Sequence, residues 1–247
     1  QASKVQEALT KLDSPLQEKI TISLQEQQLG TAHAVAQALP KLGADSQVII
    51  LYGDTPLTPK VELEKLLTAL ESCELSLLTS EPKNPFGYGR IIKDEQGNFV
   101  GIVEEKDASA EQKAIREINT GMIACRSSTL SSYLSKIGNN NAQGEYYLTD
   151  LSSLLVKDGK RVCPIKADPN NVDMLEGINN KVQLAFIERI YQQNLAKQYM
   201  MQGLTLADPS RFDVRGELEF GQDCFIDTNV IIDGKVSLGN NVVIGTG

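Results

Sequence analysis

The chain has 247 residues, 41% of them hydrophobic and 23% charged, and its 24 Lys and Arg against 32 Asp and Glu give a net charge of -8. That length holds one large domain, or one domain and part of a second, and the composition excludes wholesale disorder. The acidic balance argues against a nucleic-acid partner, and without an apolar run of 18 residues or an apolar N-terminal segment we expect no membrane span and no secretory signal.

Strand-like and helical stretches alternate up to about residue 175, which predicts an α/β domain with a mostly parallel sheet and helices on both faces. The apolar run at 47–51 is typical of a strand that is covered on both faces. The other predicted strands are 75–79, 90–92, 99–103, 122–125 and 162–165. The predicted helices are 31–39, 60–71, 127–137 and 146–157.

A longer helix is predicted from Asn179 to Gln202, because two rows of apolar residues recur there every four positions. Asn179 or Asn180 can cap its start, and Gly203 can end it.

The tail of the sequence has a period of six. Apolar residues recur at every sixth position from Leu218 to Val242, and again from Phe220 to Ile244. Such hexads predict a β-helix with one flat face per six residues, the alternative being an ordinary β-meander. Because the pattern still runs at Gly247 and a solenoid needs neighbouring coils to bury its last face, we expect the first coils of a longer β-helix domain.

The cysteines and the single histidine do not suggest a zinc site. Cys73, Cys125, Cys163 and Cys224 form no C-x-x-C pair, and none of them is near His33 in the sequence. Scattered cysteines of this kind predict buried thiols in a reducing cytoplasm. We expect His33 to be structural, since the sequence around it offers no Ser, Cys or carboxylate partner.

The segment Leu51-Tyr52-Gly53-Asp54 directly follows the strongest predicted strand. In open α/β sheets, ligands bind beyond the carboxyl ends of the strands, so Asp54 is a candidate ligand for Mg²⁺, which prefers oxygen donors. The alternative is that Asp54 only caps the following turn. The amide oxygen of Asn179, at the start of the long helix, is a candidate second ligand.

Three loops carry further candidate binding residues. In the stretch 25–31, the amide side chain of Gln25 can pair with a base edge, Gly30 permits close backbone approach and Thr31 is a candidate N-cap. Glycines bracket the turn 84–90, and a carboxylate in 104–107 can bind sugar hydroxyls. Each of these loops can also be a plain connection or a solvated surface.

Together these segments resemble one family, the bifunctional bacterial N-acetylglucosamine-1-phosphate uridyltransferase / glucosamine-1-phosphate N-acetyltransferase. The resemblance runs from about residue 22 to the end of the chain. The matching stretches are EQQLGTAHAV (26–35), LYGDTPL (51–57), NPFGYGRI (84–91), GIVEEKDA (101–108), EINTGM (117–122), NNNAQGEYYLTD (139–150), LEGINNKVQL (175–184), DPSRFDVRGEL (208–218) and DTNVIIDGKVSLG (227–239).

The resemblance implies a Rossmann-like nucleotidyltransferase domain at 1–181, a linker helix at 182–202 and the start of a left-handed parallel β-helix at 203–247. It implies uridylyl transfer from UTP to N-acetylglucosamine 1-phosphate, giving UDP-N-acetylglucosamine and pyrophosphate. In the longer parent protein it implies acetylation of glucosamine 1-phosphate by acetyl-CoA and assembly into a homotrimer. The product would supply peptidoglycan and lipopolysaccharide synthesis in the cytoplasm.

The family's functional residues map onto this sequence as follows. Asp54 and Asn179 would be the catalytic residues that bind Mg²⁺. The remaining substrate contacts would come from Gln25, Gly30, Thr31, Tyr52, Gly53, Gly89, Glu104 and Asn119, together with Asp54 and Asn179.

The sequence departs from the family at three points, one of which is that nearly all of the acetyltransferase domain is absent from the 247 residues. The family's opening strand and glycine-rich LAAGxGTRM loop have no counterpart here, and we therefore expect the 247 residues alone to be inactive in uridylyl transfer. Glu105 stands where the family often has His. Two other hypotheses remain open: a nucleotidyltransferase for another sugar 1-phosphate such as glucose 1-phosphate, and a non-catalytic assembly subunit.

Overall fold

The computed structural model describes residues 2–11 and 17–246. Positions 1, 12–16 and 247 lie outside the described residues, and they include part of the N-terminal stretch considered for a secretory signal and the last position of the hexad tail. The described helices are α1 (Ala2–Thr10), α2 (Thr31–Ala38), α3 (Lys60–Ala69), α4 (Ala110–Lys113), α5 (Ser127–Tyr133), α6 (Asp150–Lys157) and α7 (Lys181–Met201). The described strands are β1 (Gln47–Ile50), β2 (Leu75–Ser80), β3 (Arg90–Lys93), β4 (Phe99–Val103), β5 (Ile118–Arg126), β6 (Val162–Lys166), β7 (Thr205–Leu206), β8 (Phe212–Phe220), β9 (Phe225–Ile226), β10 (Val230–Leu238) and β11 (Val243–Ile244).

The chain forms two compact units. The first comprises residues 1–53 and 58–172, and the second comprises residues 54–57 and 173–247. Each unit has its own apolar core among the described residues.

The first unit contains a six-stranded sheet in the order β4-β3-β5-β2-β6, and β1 pairs with β5 beside β3. Among the described ladders of this sheet, β2 with β6 is parallel and the other four are antiparallel. The expectation of a mostly parallel sheet was therefore wrong. The physical reason is β5, which lies between β2 on one edge and β1 and β3 on the other and runs opposite to all three.

The middle of this sheet is its most buried part, because helices cover it. Every residue of β2 is buried, and β5 is buried from Ile118 to Cys125. Both strands also bury polar residues, among them Ser76 and Thr79 of β2 and Asn119 and Thr120 of β5. Apolar residues of α2, α5 and α6 complete the core, among them Ala32, Leu130 and Leu151.

The predicted elements of the first unit are present; three of their ends differ by four residues, one of them the end of α5 at Tyr133 rather than 137, and the others by two residues or fewer. Strand β5 begins four residues before the predicted 122–125, and helix α6 begins at Asp150 rather than at 146. Helices α1 and α4 were not predicted. The four-residue α4 begins with a capping box in which Ser109 and Gln112 satisfy each other's backbone N–H groups.

The second unit is built around the long helix α7, which lies within the predicted span 179–202. Asn180 is its N-cap, with its side chain accepting hydrogen bonds from the N–H groups of Val182 and Gln183. Gln192 is buried on α7, and its amide bonds both the N–H and the carbonyl of Val214 at 2.8 and 2.9 Å. The helix is thereby fixed to β8 by the same kind of bonds that a neighbouring strand would make.

The described strands of the tail form a two-stranded sheet of β8 and β10 and a three-stranded sheet in the order β11-β9-β7, all with parallel pairing. Each residue of β10 pairs with the residue 18 positions earlier in β8, and β11 has the same offset from β9. Eighteen residues correspond to three of the hexads noted in the sequence, and parallel pairing excludes an ordinary meander for these strands. Of the hexad residues from Leu218 to Ile232, Phe220 is partly buried and the other five are buried. That these coils belong to a left-handed β-helix stays a prediction.

Two further expectations concern the cysteines and the membrane. Cys125 and Cys224 are buried, whereas Cys73 and Cys163 are only half-buried. The prediction of buried thiols therefore holds for two of the four cysteines. Over residues 2–11 and 17–246, no helix has the length and apolar character needed to cross a membrane.

Candidate functional site

The candidate site of the first unit lies where one edge of β5 has a gap in its pairing. Strand β1 pairs with this edge from Arg126 to Ile123, and β3 pairs with it at Ile118. Residues 119–122 face the interval between the end of β1 and the start of β3. The segments that fill this interval are the ones following β1 and preceding β3, which carry Tyr52 and Gly89.

Gly89 holds together three of the residues that the sequence singled out. Its carbonyl accepts a hydrogen bond of 2.9 Å from the Asn119 N–H. A Cβ atom built on Gly89 would lie 3.3 Å from Glu104 Oε2 and 2.8 Å from the Ile102 side chain, so a larger residue would displace its neighbours. Gly89, Glu104 and Asn119 therefore form one cluster.

Asn119 has an unusual feature within this cluster. Its side chain is 5% exposed, yet Oδ1 has no hydrogen-bond partner. Among the described residues, Arg90 Nε is the other buried side-chain atom in this condition. A buried amide oxygen without a partner is costly, and it is free to accept a hydrogen bond from a ligand.

Glu104 is a half-buried carboxylate at the end of β4. The hydroxyl of Thr149 donates a 2.8 Å hydrogen bond to Oε1. Burial raises the pKa of Glu104 above its ordinary value, the Thr149 hydrogen bond opposes this, and the nearby charges of Asp150 and Asp107 add to the rise. Burial also raises the pKa of Asp150, with Asp107 contributing. The cluster is thus acidic and rich in hydrogen-bond acceptors.

The ring of Tyr52 lies against the backbone at Gly121. A Cβ atom on Gly121 would be only 2.0 Å from Tyr52 Cε2, and the φ angle of +85° is one that residues with side chains rarely adopt. Glycine is therefore required here for two independent reasons, and it sets the position of the Tyr52 ring.

The stretch 25–31 is fixed by the loop that precedes α6. Gly30 has a φ of +110°, and a Cβ there would lie 2.6 Å from the carbonyl oxygen of Tyr146. The backbone of Tyr146 bonds Leu29 at 2.8 Å and Ala32 at 2.9 Å, which explains why α6 does not begin at residue 146.

Gly30 itself is the N-cap of α2, so the prediction of Thr31 as N-cap was wrong. The Thr31 hydroxyl instead accepts a hydrogen bond of 2.9 Å from the Leu148 N–H. The physical reason is that Thr31 already has helical backbone geometry, and its side chain is used to anchor the 146–148 loop.

Gln25 and His33 are neighbours. The Gln25 amide Nε2 lies 3.1 Å from the Gly30 carbonyl oxygen and 3.0 Å from His33 Nδ1. The other ring nitrogen of His33 lies 3.2 Å from the Gln37 amide. These contacts agree with a structural role for His33, which orients a glutamine on each side.

In the second unit, Asp54 and Asn179 approach the same glycine. A Cβ on Gly177 would lie 3.3 Å from Asp54 Oδ2 and 3.8 Å from Asn179 Nδ2, and the Asp54 carbonyl accepts a 2.9 Å hydrogen bond from Ile178. Both side chains are exposed. A carboxylate and an amide are oxygen donors that suit Mg²⁺, which usually keeps several waters and needs few protein ligands. Consistent with so sparse a set, the described residues contain no group of three or more His, Cys, Asp or Glu placed to hold a metal ion.

The predicted site residues are thus divided between the units. Asp54 and Asn179 belong to the second unit, and they meet there at Gly177. Gly53 has open space where a side chain would be. The other predicted residues belong to the first unit: Gln25, Gly30, Thr31, Tyr52, Gly53, Gly89, Glu104 and Asn119.

Sequence reasoning did not assign four residues that the geometry places next to the predicted ones. Thr149 bonds Glu104, Gly121 carries Tyr52, Tyr146 fixes Gly30, and Gly177 lies between the two candidate metal ligands. All four fall within the stretches that carried the family resemblance. What was missing was their contact partners, which are far away in the sequence.

Comparisons with known proteins give a consistent family. The model of the family described as nucleotidyl transferase matches residues 2–170. The chain is 52% identical over 222 residues to a protein named bifunctional protein GlmU from Marinobacter nauticus, and 52% identical over 222 residues to another of that name from Dechloromonas aromatica. Each match covers 90% of this chain and 48% of the relative, so the chain spans about half the length of these curated relatives.

A solved structure also resembles the chain. It is a crystal structure of a candidate glucose-1-phosphate thymidylyltransferase from Bacillus anthracis in complex with sucrose, with 17% identity and a TM-score of 0.49. The match covers 66% of this chain and 63% of that one. The family resemblance that the sequence motifs indicated is confirmed by these two curated relatives.

Proposed function

The chain belongs to the nucleotidyl transferase family, and from this premise we propose that it carries the uridylyl-transfer site of an enzyme that joins UTP and N-acetylglucosamine 1-phosphate. The products are UDP-N-acetylglucosamine and pyrophosphate. The observation that carries the proposal is the cluster at Gly89, where the buried, unpartnered Asn119 Oδ1 and the Glu104 carboxylate offer acceptors to sugar hydroxyls or to an acetamido N–H.

The reaction needs no nucleophile from the protein. A phosphate oxygen of the sugar 1-phosphate attacks the α-phosphorus of UTP, the bond from that phosphorus to the bridging oxygen breaks, and pyrophosphate leaves with the electron pair. Catalysis of such a step consists mainly of positioning and charge neutralisation. The role of the described residues is therefore to hold the two substrates in line.

The proposed roles follow from the contacts of each residue. Glu104, held by Thr149, and Asn119 orient the sugar, with Gly89 allowing it to approach the backbone. Tyr52 and Gly53 line the approach to the sugar phosphate. The turn with Gln25, Gly30 and Thr31 receives the uracil base, for which the amide of Gln25, beside the Gly30 carbonyl, is suited.

Asp54 and Asn179 are the proposed ligands of Mg²⁺. The ion, when bound, supplies positive charge to the phosphate oxygens. The two side chains would hold it beside Gly177, where a Cβ would approach the Asp54 carboxylate to 3.3 Å.

The remaining parts of the proposal rest on the resemblance to the bifunctional relatives. They are acetyl transfer from acetyl-CoA to glucosamine 1-phosphate, a left-handed β-helix, a homotrimer, cytoplasmic location and a role in supplying peptidoglycan and lipopolysaccharide synthesis. All of them except the β-helix, whose first coils are predicted at 203–247, concern the whole protein rather than this chain, which spans about half the length of those relatives.

The test is pyrophosphate release by the full-length product of the gene, supplied with UTP, N-acetylglucosamine 1-phosphate and Mg²⁺. The variant is Asp54→Ala, and the matched control is Asp45→Ala, a change of the same charge at another exposed position of the chain. We expect Mg²⁺-dependent release that falls at least about a hundredfold in Asp54→Ala and is unchanged in the control.

The other outcomes separate the competing hypotheses. Release that survives Asp54→Ala would keep the reaction and remove Asp54 from its metal site. A strong preference for glucose 1-phosphate would change the sugar. No release with any sugar phosphate would indicate the non-catalytic assembly subunit.

A further inference from the structure

The turn from Asn84 to Arg90 is held by an ion pair that the proposed roles do not use. Glu105 Oε2 lies 2.7 Å from Arg90 Nη2 and accepts a hydrogen bond of 3.3 Å from the Gly87 N–H. Arg90 in turn donates to the carbonyl of Tyr88 through Nη1 and to that of Lys113 through Nη2. One carboxylate and one guanidinium thus tie the two residues that precede Gly89 to the end of β4.

The ion pair lies deep in the protein for a pair of charges. The Arg90 side chain is 2% exposed and that of Glu105 is 16% exposed. Arg90 Nε has no hydrogen-bond partner, so the arginine does not recover all of its lost hydration. Buried pairs of this kind contribute little net stability compared with apolar residues, and they are better at fixing one arrangement of the groups they connect.

The turn has few bonds of its own to fix it. Asn84 Oδ1 accepts from the Phe86 N–H at 3.1 Å, and the Pro85 carbonyl accepts from Tyr88 at 3.3 Å. Gly87 has a φ of +89° with open space around it, and Phe86 is exposed. Glu105 thus adds a bond at Gly87 to the bond that Arg90 makes to the Tyr88 carbonyl and the bond that the Asn119 N–H makes to the Gly89 carbonyl.

What the pair fixes is the distance between the turn and Glu104. Gly89 stands between Tyr88 and Arg90 in the chain, and a Cβ on it would lie 3.3 Å from Glu104 Oε2. Glu104 is in turn the neighbour of Glu105. Gly89 and Glu104, two members of the cluster with Asn119, are therefore adjacent in sequence to Arg90 and Glu105, the two members of the ion pair.

We propose that Glu105 is a positioning residue, which acts through Arg90 and Gly87 to hold the 84–90 turn against Glu104 so that one sugar phosphate meets both. This inference rests on the proposed function. It predicts an effect on the sugar phosphate alone, because the turn that is proposed to receive uracil, at 25–31, is bonded to Tyr146 and Leu148 and not to Glu105.

The test is steady-state kinetics of the full-length gene product with each substrate varied separately. Glu105→Gln keeps the shape and an acceptor for Gly87 but removes the charge that Arg90 needs. We expect the KM for N-acetylglucosamine 1-phosphate to rise roughly ten- to a hundredfold, with kcat within about threefold and the KM for UTP within about twofold. The matched control is Glu95→Gln, on the exposed turn at the other end of the β3–β4 hairpin, which should change none of them.

A merely structural role would give a different result, since loss of folded enzyme lowers kcat and leaves both KM values unchanged. An unchanged sugar-phosphate KM in Glu105→Gln, or an equal rise for UTP, would overturn the proposal. If Glu105→Gln does not fold, Glu105→Asp carries the same test, because it keeps the charge and withdraws the carboxylate by one methylene. The KM of Glu105→Asp for N-acetylglucosamine 1-phosphate should rise severalfold, and an unchanged KM would also overturn the proposal. A wild type that releases no pyrophosphate overturns the proposed function itself, and the positioning role with it.

Discussion

The Tyr52 ring and the backbone conformation both require glycine at position 121. The Tyr52 ring occupies the place of a Cβ at Gly121, and the φ angle of +85° adds strain for any other residue. Gly97 has almost the same φ, +83°, with open space around it, and it therefore provides a control for the strain alone. The two glycines differ in what surrounds them.

We expect Gly97→Ala to lower the free energy of unfolding by roughly 1 to 2 kcal/mol, the usual cost of a left-handed backbone. Gly121→Ala should lower it by about 1 to 3 kcal/mol more, because the added methyl overlaps the Tyr52 ring. Urea unfolding measures both. In a Tyr52→Ala background the extra cost should disappear, and a cost that persists there would show that the ring is not the cause.

The ionised form of the Glu104 carboxyl lowers the free energy of unfolding. Burial raises its pKa above the ordinary 4.5, with Asp150 and Asp107 contributing and the Thr149 hydrogen bond opposing. The pKa is thus higher in the folded than in the unfolded state. The stability that the carboxyl contributes is therefore complete below pH 4.5 and is lost as the pH rises through the raised pKa.

Glu104→Gln keeps the shape and removes the charge. We expect its urea midpoint to equal that of the wild type at about pH 4 and to exceed it at about pH 8, while binding of UDP-N-acetylglucosamine weakens at least about tenfold. Glu95→Gln, an exposed change of the same kind, should match the wild type at both pH values. A lower midpoint for Glu104→Gln at the higher pH would mean that the ionised carboxylate is stabilising after all.

At the scale of elements, two neighbouring asparagines at the start of α7 have separate tasks. The Asn180 side chain accepts from the N–H groups of Val182 and Gln183, as a helix cap does. Asn179 bonds the Gln183 side chain through its backbone N–H, which leaves its own side chain beside Gly177. The sequence could only offer either residue as the cap.

We expect Asn180→Ala to lower the stability of the second unit by about 1 kcal/mol, and Asn179→Ala to leave it nearly unchanged. The two variants should respond to Mg²⁺ in the opposite way: we expect added Mg²⁺ to raise the melting temperatures of the wild type and of Asn180→Ala, and not that of Asn179→Ala. Thermal unfolding with and without the ion checks both. Equal losses of stability in the two variants would contradict the division.

At the scale of the whole chain, the 247 residues carry a net charge of -8, which repels the anionic sugar nucleotide of the proposed function. The candidate sugar cluster does not reverse this, since Glu104, Asp107 and Asp150 lie in or beside it. Long-range repulsion slows the encounter of a negative protein with a negative ligand, and salt screens it. We therefore expect the association rate of UDP-N-acetylglucosamine to rise about two- to fivefold between about 0.01 M and about 0.15 M salt. Stopped-flow measurement that shows a fall instead would indicate a local positive field at the site.

The sequence by itself determined the elements and the period of the tail. The spacing of apolar residues depends on which positions are buried, so it is readable locally, as in α7 and the hexads from Leu218 to Ile244. Family motifs added the candidate residues, because each motif is also local. Even so, the resemblance could give Gly89, Glu104 and Asn119 only as separate positions.

Only the tertiary structure decided which segments meet and in what direction they pair. The antiparallel insertion of β5, the gap beside residues 119–122 and the bonds from Tyr146 to the 25–31 turn all join parts of the chain that are distant in sequence. Such contacts depend on how loops close and on which surfaces fit, and no local pattern records them. The ion pair of Glu105 with Arg90 is of this kind: two charged residues that look solvated in the sequence become buried partners through the pairing of β3 with β4.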